Sequence, residues 1–323
     1  MAMRTDPAGT AKLLLSRDNI LILCHKNPDG DTLGSAARLS AALSEAGKTC
    51  AVVCHNRIPV KYDYMKLQVF DGEFKPEYIV AVDIADENLL GDNLSQYRGK
   101  VDLCIDHHVS NSGYAKNLCL DRASPAAAQI MLTVIEEMGV PFTKYIADCL
   151  YTGIITDTGC FRYSSTTADT HIAAAKLLSM GADHTHLAES FFMSKTRRAV
   201  ELEKYALNNI EYYFDEKCAV LCLTKEVFQT IKPRATDIDG LSSFARDFEW
   251  VEVSVLIRPQ ADGKHKISIR TGENARANRI AAALGGGGHI RAAGCEVDMD
   301  MRSTKQAILK EVEKELCRQT ETE

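Results

Sequence analysis

The chain has 323 residues, 46% of them hydrophobic and 25% charged, with a formal net charge of −6. That length suits two hydrophobic cores better than one, no stretch approaches the ~18 apolar residues of a membrane span, and the acidic balance argues against a protein that wraps long nucleic acid. The opening "MAMRTDPAGTAKLLLSRDN" lacks the apolar core of a signal peptide, so a cytoplasmic protein is expected.

In chain order, "NILILCH" (19–25) reads as a short strand, and "TLGSAARLSAALSEAG" (32–47) has apolar residues at helical spacing and stops at a glycine. "TCAVVCH" (49–55), "YIVAVDIAD" (78–86) and "VDLCIDHH" (101–108) are further strand-like runs, each ending in polar or ionisable residues. The alternation predicts an α/β fold with a mostly parallel, doubly wound sheet and helices on both faces. Helical patterns follow over 124–139, with Ser124 as cap and Pro125 in first position, then over 144–159 and 166–181. A charged stretch at 195–209 separates this region from the next. The expected organisation is a first domain over 1–194, a helical linker over 195–213 and a smaller α/β domain over 214–323. Within the latter, 251–271 reads as a hairpin turning at Asp262-Gly263, "ARANRIAAAL" as a helix leading into "GGGGHIRAAGCEV" (285–297), and 303–318 as an amphipathic helix.

Eleven cysteines are an odd count, several lie inside apolar runs such as "CAVVC" (50–54) and "CAVLC" (218–222), and there are no paired CxxC knuckles. They read as reduced, small core residues.

In a parallel sheet ligands gather at the carboxyl ends of the strands, where the ionisable residues of this chain fall. His25, Asp29 and Asp31 follow the first strand, Asp83 ends "VAVD", Asp106, His107 and His108 end the fourth run, and Asp157 follows the apolar "GIIT". Singly, an aspartate builds a turn or caps a helix, and a lone histidine is a satisfied neighbour of the core. The paired histidines beside an aspartate have no packing advantage. Four strand ends delivering carboxylates and imidazoles to one edge repel one another unless cations fill the space. Oxygen and imidazole donors suit a divalent ion of the Mn²⁺ or Mg²⁺ kind rather than a thiolate-bound zinc. His184 and His186, in "GADHTHLAE", read as surface-turn residues.

Residues 258–291 hold seven Lys/Arg against two acids, a compact basic patch suited to a few phosphates rather than a duplex track. The glycines of 285–288 let the backbone approach a ligand and present N–H groups to phosphate, and no packing role is expected to need so many.

The motifs "HKNPDGD", "VDIAD", "IDHHVSN" and "TGIITDTGCFRYS", followed by "GGGGHIRAAG", resemble in order those of the DHH phosphoesterase family with its DHH-associated C-terminal domain, and within it the bifunctional oligoribonuclease and pAp phosphatase (nanoRNase) type. The resemblance spans nearly the whole chain. It implies two Mn²⁺ sites, one matching His25, Asp29 and Asp83, the other Asp31, Asp83, His107 and Asp157, with Asp83 bridging. It implies that His108 faces the scissile phosphate and that Asp106 supports the neighbouring histidines. Arg270, Gly286, Gly287, Gly288 and His289 match positions that bind the substrate's phosphates and base. Thr271 and Arg291 beside them depart from or vary within the family pattern and bear on substrate preference.

The implied activity is metal-dependent hydrolysis of short single-stranded oligoribonucleotides to mononucleotides and of pAp to AMP and phosphate, with dinucleotides as further small substrates. Neither a membrane nor a long duplex is an expected partner, and a homodimer is left open. The rival readings are a cyclic- or linear-dinucleotide phosphodiesterase, an inorganic pyrophosphatase, a processive exonuclease and a non-catalytic nucleotide-binding regulator.

Overall fold

A computed structural model of the chain describes residues 2–67, 69–70, 72, 74–141, 143–260 and 262–320. The chain divides into two compact units, Met1–Ser194 and Lys195–Glu323.

The first unit is built on a six-stranded sheet of β1 (Met3–Arg4), β2 (Ile20–Leu23), β3 (Cys50–Val53), β4 (Tyr78–Val82), β5 (Leu103–Asp106) and β6 (Asn117–Leu120), in the order β1-β6-β5-β4-β2-β3 with every pairing parallel. Strands covered on both faces are apolar at successive positions, and the alternation of side chains divides them between two cores. Ile20, Ile22, Val80, Val82, Leu103 and Ile105 pack on one face under α1 (Pro7–Leu15), α2 (Gly30–Glu45), α3 (Ala127–Met138), α4 (Lys144–Asp157), α5 (Ala168–Ser179) and α6 (His184–Ala188). Leu21, Leu23, Ile79, Ala81 and Cys104 pack on the other.

On that second face the cover differs from a run of α-helices. Leu90 and Leu94 come from short 3-10 segments, Glu87–Leu90 and Asp92–Tyr97. The connection between β4 and β5 is interrupted by Gly91 and Gly99 at φ +83° and +71°, which leaves no uninterrupted stretch for a longer helix. The ladder places β3 on one side of β2 and β4 on the other, so the sheet reverses its direction of growth between β2 and β4. A crevice for ligands opens at such a switch point, beyond the carboxyl ends of the strands.

The second unit has a mixed sheet of β7 (Glu211–Tyr213), β8 (Cys218–Cys222), β9 (Val253–Pro259), β10 (His265–Thr271), β11 (Gly287–Gly288) and β12 (Ala292–Val297), ordered β11-β12-β10-β9-β8-β7, in which β8 and β9 run parallel and the other pairs antiparallel. Helices α7 (Arg197–Asn209), α8 (Lys225–Ile231), α9 (Ala235–Asp239) and α10 (Leu241–Phe244) lie on one face, and α11 (Ala277–Ala282) and α12 (Met301–Thr320) on the other. The segment expected as a linker therefore begins the second unit: Leu202 and Ala206 of α7 are fully buried in its core.

Candidate metal centre and basic sheet face

Three loops and one helix end bring the predicted residues together at the switch point. His25, Asp29 and Asp31 follow β2, Asp29 capping α2 by accepting from the N–H groups of Asp31 and Thr32 at 3.1 and 3.2 Å. Asp83 follows β4, and His107 and His108 follow β5. Asp157 is the last residue of α4, so the fourth contribution is a helix terminus and not a strand end. Gly153 of α4 permits that approach, since a Cβ there would stand 2.8 Å from Asp31 Oδ1 and 2.6 Å from Ala128 Cβ.

The donors converge on two places. His25 Nε2 lies 3.7 Å from Asp29 Oδ1 and 3.6 Å from Asp83 Oδ2. His107 Nε2 lies 3.8 Å from Asp31 Oδ2, 3.4 Å from Asp157 Oδ2 and 3.4 Å from Asp83 Oδ1. These gaps exceed hydrogen-bond lengths, and they resemble the spacing of donors, each about 2.0–2.2 Å from a shared ion. Asp83 reaches both groups, one oxygen toward each.

The electrostatics agree. Asp31, Asp83 and Asp106 are buried. Burial, then the Asp83 charge, pushes Asp31 up to about 7. Burial and the Asp31 charge raise Asp157 well above the usual carboxylate range. Burial works against the protonated forms of His25 and His107, but the facing carboxylates win and lift them to about 10 and about 9. Asp83 is held low despite its burial, because both imidazoles lie against it. Asp83 Oδ1 and His107 Nε2 are buried without a hydrogen-bond partner, a costly arrangement unless something else meets them. The two atoms lie 3.4 Å from each other, a divalent cation would meet both, and His25, Asp29 and Asp83 Oδ2 offer a second donor set of the same kind, so the residues present fit two such ions.

Neighbouring bonds orient the ligands. His107 Nδ1 is 3.3 Å from Ser124 O, the contact that makes Nδ1 the donor and directs Nε2 to the site. His108 Nδ1 bonds Asp106 Oδ1 at 2.7 Å. Asp31 accepts from Ala127 N and Ala128 N at 2.6 and 2.7 Å. That carboxylate does the capping expected of Ser124: α3 begins at Ala127 without a cap from its own neighbours, and Ser124 Oγ donates to Ala126 O. Asp83 sits at φ +59°, a left-handed backbone uncommon outside glycine and typical of strained functional positions. His184 and His186 are exposed residues of the short α6, as expected of a surface turn.

In the second unit the period of β10 decides which residues share a face. Lys266, Ser268 and Arg270 line a concavity of about 570 Å³ with Arg258, Gly287, Gly288 and Glu296, while Ile267 and Ile269 face the core. Thr271 is buried on the core side, its Oγ1 3.4 Å from Ile290 O. Arg291 donates Nη1 to the carbonyls of Gly272 and, at 3.1 Å, Ala275, bracing a turn. His289 is exposed in the tight turn between β11 and β12, where its N–H donates to Ala292 O at 2.8 Å. The glycines prove to have packing reasons of their own. A Cβ on Gly286 would meet Gly294 O at 2.2 Å, and Gly288, at φ +141°, would meet Ala292 O at 2.6 Å. Gly285 and Gly287 have open space where a Cβ would stand, and of these two Gly287 lines the concavity.

Comparison with known proteins accounts for both halves. The DHH family N-terminal domain matches residues 19–154 and the DHHA1 domain matches residues 226–317. The chain is a DHH–DHHA1 protein. It is 29% identical over 304 residues, 93% of its own length and 90% of the relative's, to the bifunctional oligoribonuclease and PAP phosphatase NrnA of Thermus thermophilus. It is 23% identical over 300 residues, 91% and 93% of the two lengths, to the protein of the same name from Bacillus subtilis. An exopolyphosphatase-related protein from Bacteroides fragilis shares the fold with a TM-score of 0.87 at 25% identity, over 95% of this chain and 96% of that one.

Within the DHH domain, sequence patterns revealed the acids and imidazoles but not their supports. The carbonyl of Ser124 and the N–H groups of Ala127 and Ala128 have no side-chain signature. Asn111, five residues after Asp106, sat inside a motif already singled out. In the DHHA1 domain, the four-residue spacing of Lys266 and Arg270, two strand periods, is the signal that sets both on one face and Thr271 on the other.

Proposed function

We propose that this DHH–DHHA1 protein is a two-metal phosphoesterase that hydrolyses short oligoribonucleotides to mononucleotides and pAp to AMP and phosphate, with Mn²⁺ in both sites. The observation that carries the reading is the pair of buried, partnerless donors, Asp83 Oδ1 and His107 Nε2, at the meeting point of six ionisable residues. The names of the NrnA relatives supply the substrate class.

His25, Asp29 and Asp83 would hold one ion, and Asp31, Asp83, His107 and Asp157 the other. When bound, such ions supply Lewis-acid charge to phosphoryl oxygens and lower the pKa of water. His108, oriented through its Nδ1 by Asp106, directs Nε2 to the scissile phosphate and stabilises charge that develops on its oxygens. Water is the nucleophile at phosphorus, so no covalent enzyme intermediate forms, and the leaving ribose oxygen takes its proton from water. On the DHHA1 domain, Arg270 with Lys266 and Arg258 holds substrate phosphates, and Gly287 and His289 border that grip. Eleven cysteines and no disulfide among the described residues suit a reducing compartment, the cytoplasm.

The test is product analysis with pAp, RNA oligomers of increasing length, a cyclic dinucleotide and pyrophosphate, each with Mn²⁺, Mg²⁺ or a chelator. Release of AMP from pAp and of mononucleotides from the shortest RNA, lost with chelator and restored by Mn²⁺, is expected. Full-rate hydrolysis in excess chelator overturns the two-metal reading, and preferential turnover of the cyclic dinucleotide or pyrophosphate overturns the substrate class.

A further inference from the structure

We infer that Asn111 is a positioning residue that sets the orientation of His108 through Asp106. Resting on the phosphoesterase reading above, the inference assigns a role to a side chain that touches neither the ligand set nor the proposed substrate atoms.

The buried carboxylate of Asp106 is divided between two partners. Oδ1 accepts from His108 Nδ1 at 2.7 Å, and Oδ2 accepts from Asn111 Nδ2 at 2.6 Å. The other end of the Asn111 amide is also fixed, since Oδ1 accepts from Gly113 N at 2.8 Å. That bond closes an Asx turn, the local motif in which asparagine folds onto the backbone two residues on. Reversing the amide would set its oxygen against a carboxylate and its NH₂ against an N–H, so the network admits one orientation. Gly113, at φ +70°, gives the turn the left-handed residue it requires.

The same loop is pinned to the end of β4, where Tyr114 Oη donates to Ile84 O at 2.9 Å and Ser112 N donates to Ala85 O at 3.0 Å. The turn thus holds the Asn111 donor at a fixed place relative to both Asp83 and Asp106. Asp106 is buried away from water, so Asn111 is what keeps Oδ2 occupied and leaves Oδ1 to the imidazole. Without it a buried carboxylate oxygen lacks a donor, and the carboxylate gains by turning away from His108. His108 then loses its fixed tautomer and its aim.

Asn111→Ser and Asn111→Leu separate this role from a merely structural one. The serine hydroxyl still accepts from Gly113 N in the related turn but is too short to reach Asp106. Both variants should keep the wild-type metal content while kcat for pAp falls roughly 10–100-fold, the usual effect of an orienting partner. On a His108→Ala background the further loss should shrink to less than about threefold, because contacts acting through one group are not additive. In metal-free, ¹⁵N-histidine-labelled protein, the hydrogen-bonded Nδ1–H resonance of His108 should be present in wild type and lost in Asn111→Ser. Serine activity within threefold of wild type, a full-sized loss on the His108→Ala background, or an unchanged resonance overturns the inference. A wild-type protein that hydrolyses no phosphoester but shows the resonance change defeats the functional reading and leaves the positioning role standing.

Discussion

The two units manage charge in opposite ways. In the DHH domain, acids and imidazoles are drawn inward to the ends of parallel strands, where burial leaves Asp83 Oδ1 and His107 Nε2 3.4 Å apart and without a hydrogen-bond partner. In the DHHA1 domain, cationic side chains stand out from alternate positions of β10 and its neighbour, with Lys266 directly opposite Arg258 in the ladder. Like charges facing across a sheet are destabilising, and a concave surface that keeps them invites an anion. Buried mixed charge at strand ends suits a cation, and a half-exposed strand face carrying three cations against the one acid Glu296 suits phosphate. Sign, burial and sheet geometry together distinguish the two halves.

The contrast breaks first at Asp83. Asp83→Ala should abolish hydrolysis and empty both positions, whereas His184→Ala should leave turnover nearly intact, with metal analysis and pAp assays on each variant as the check. Metal affinity should also climb steeply with pH. His25 and His107 are protonated in the metal-free fold below about 10 and about 9, and both must be neutral to act as ligands, so binding at pH 8 expels protons. Each displaced proton costs about tenfold in affinity per pH unit below these values. Calorimetry in two buffers of different ionisation enthalpy should show proton release, and an identical heat in both would contradict the assignment.

On the other half, Arg270→Ala should retain both metals. Removing a charged phosphate contact costs about 1.5–3 kcal/mol, so KM should rise roughly ten- to a hundredfold. An unchanged KM in a folded variant would remove substrate holding from the β10 face. Asp106→Asn and His107→Ala sharpen the first half, because the outer partner should weaken metal binding by about 10–100-fold at most while the ligand variant loses the site. The smallest effect belongs to Thr271→Ser, which should leave KM within about twofold, since this side chain faces the core and Arg270, one residue earlier, faces the concavity.

The strands of the DHH domain were legible because apolar runs ending in acids and imidazoles announce themselves without neighbours. The grouping of His25 with Asp29 and Asp83, and of His107 with Asp31 and Asp157, followed from family resemblance, and the distances now give it a geometric footing. What stayed hidden depends on contacts distant in sequence. Asp31 caps a helix that starts 96 residues later, so Ser124 and Pro125 suggested a cap that the fold supplies from elsewhere. The segment 195–213 reads as a linker in sequence because a charged helix with a narrow apolar side looks solvated, and the burial of Leu202 and Ala206 becomes visible only in the fold. The glycine run misled for the same reason, as the crowding at Gly286 exists only once β11 lies on β12.

The left-handed backbone of Asp83 has a consequence for anyone who tries to stabilise this enzyme. A non-glycine residue in that conformation costs about 1–3 kcal/mol, and glycine would adopt it without strain. Asp83→Gly also lifts the charge that raises Asp31, at the cost of the contacts to His25 and His107. A screen scored on melting temperature in chelator registers that balance and not the lost chemistry, so any thermostable hits at this position should prove inactive.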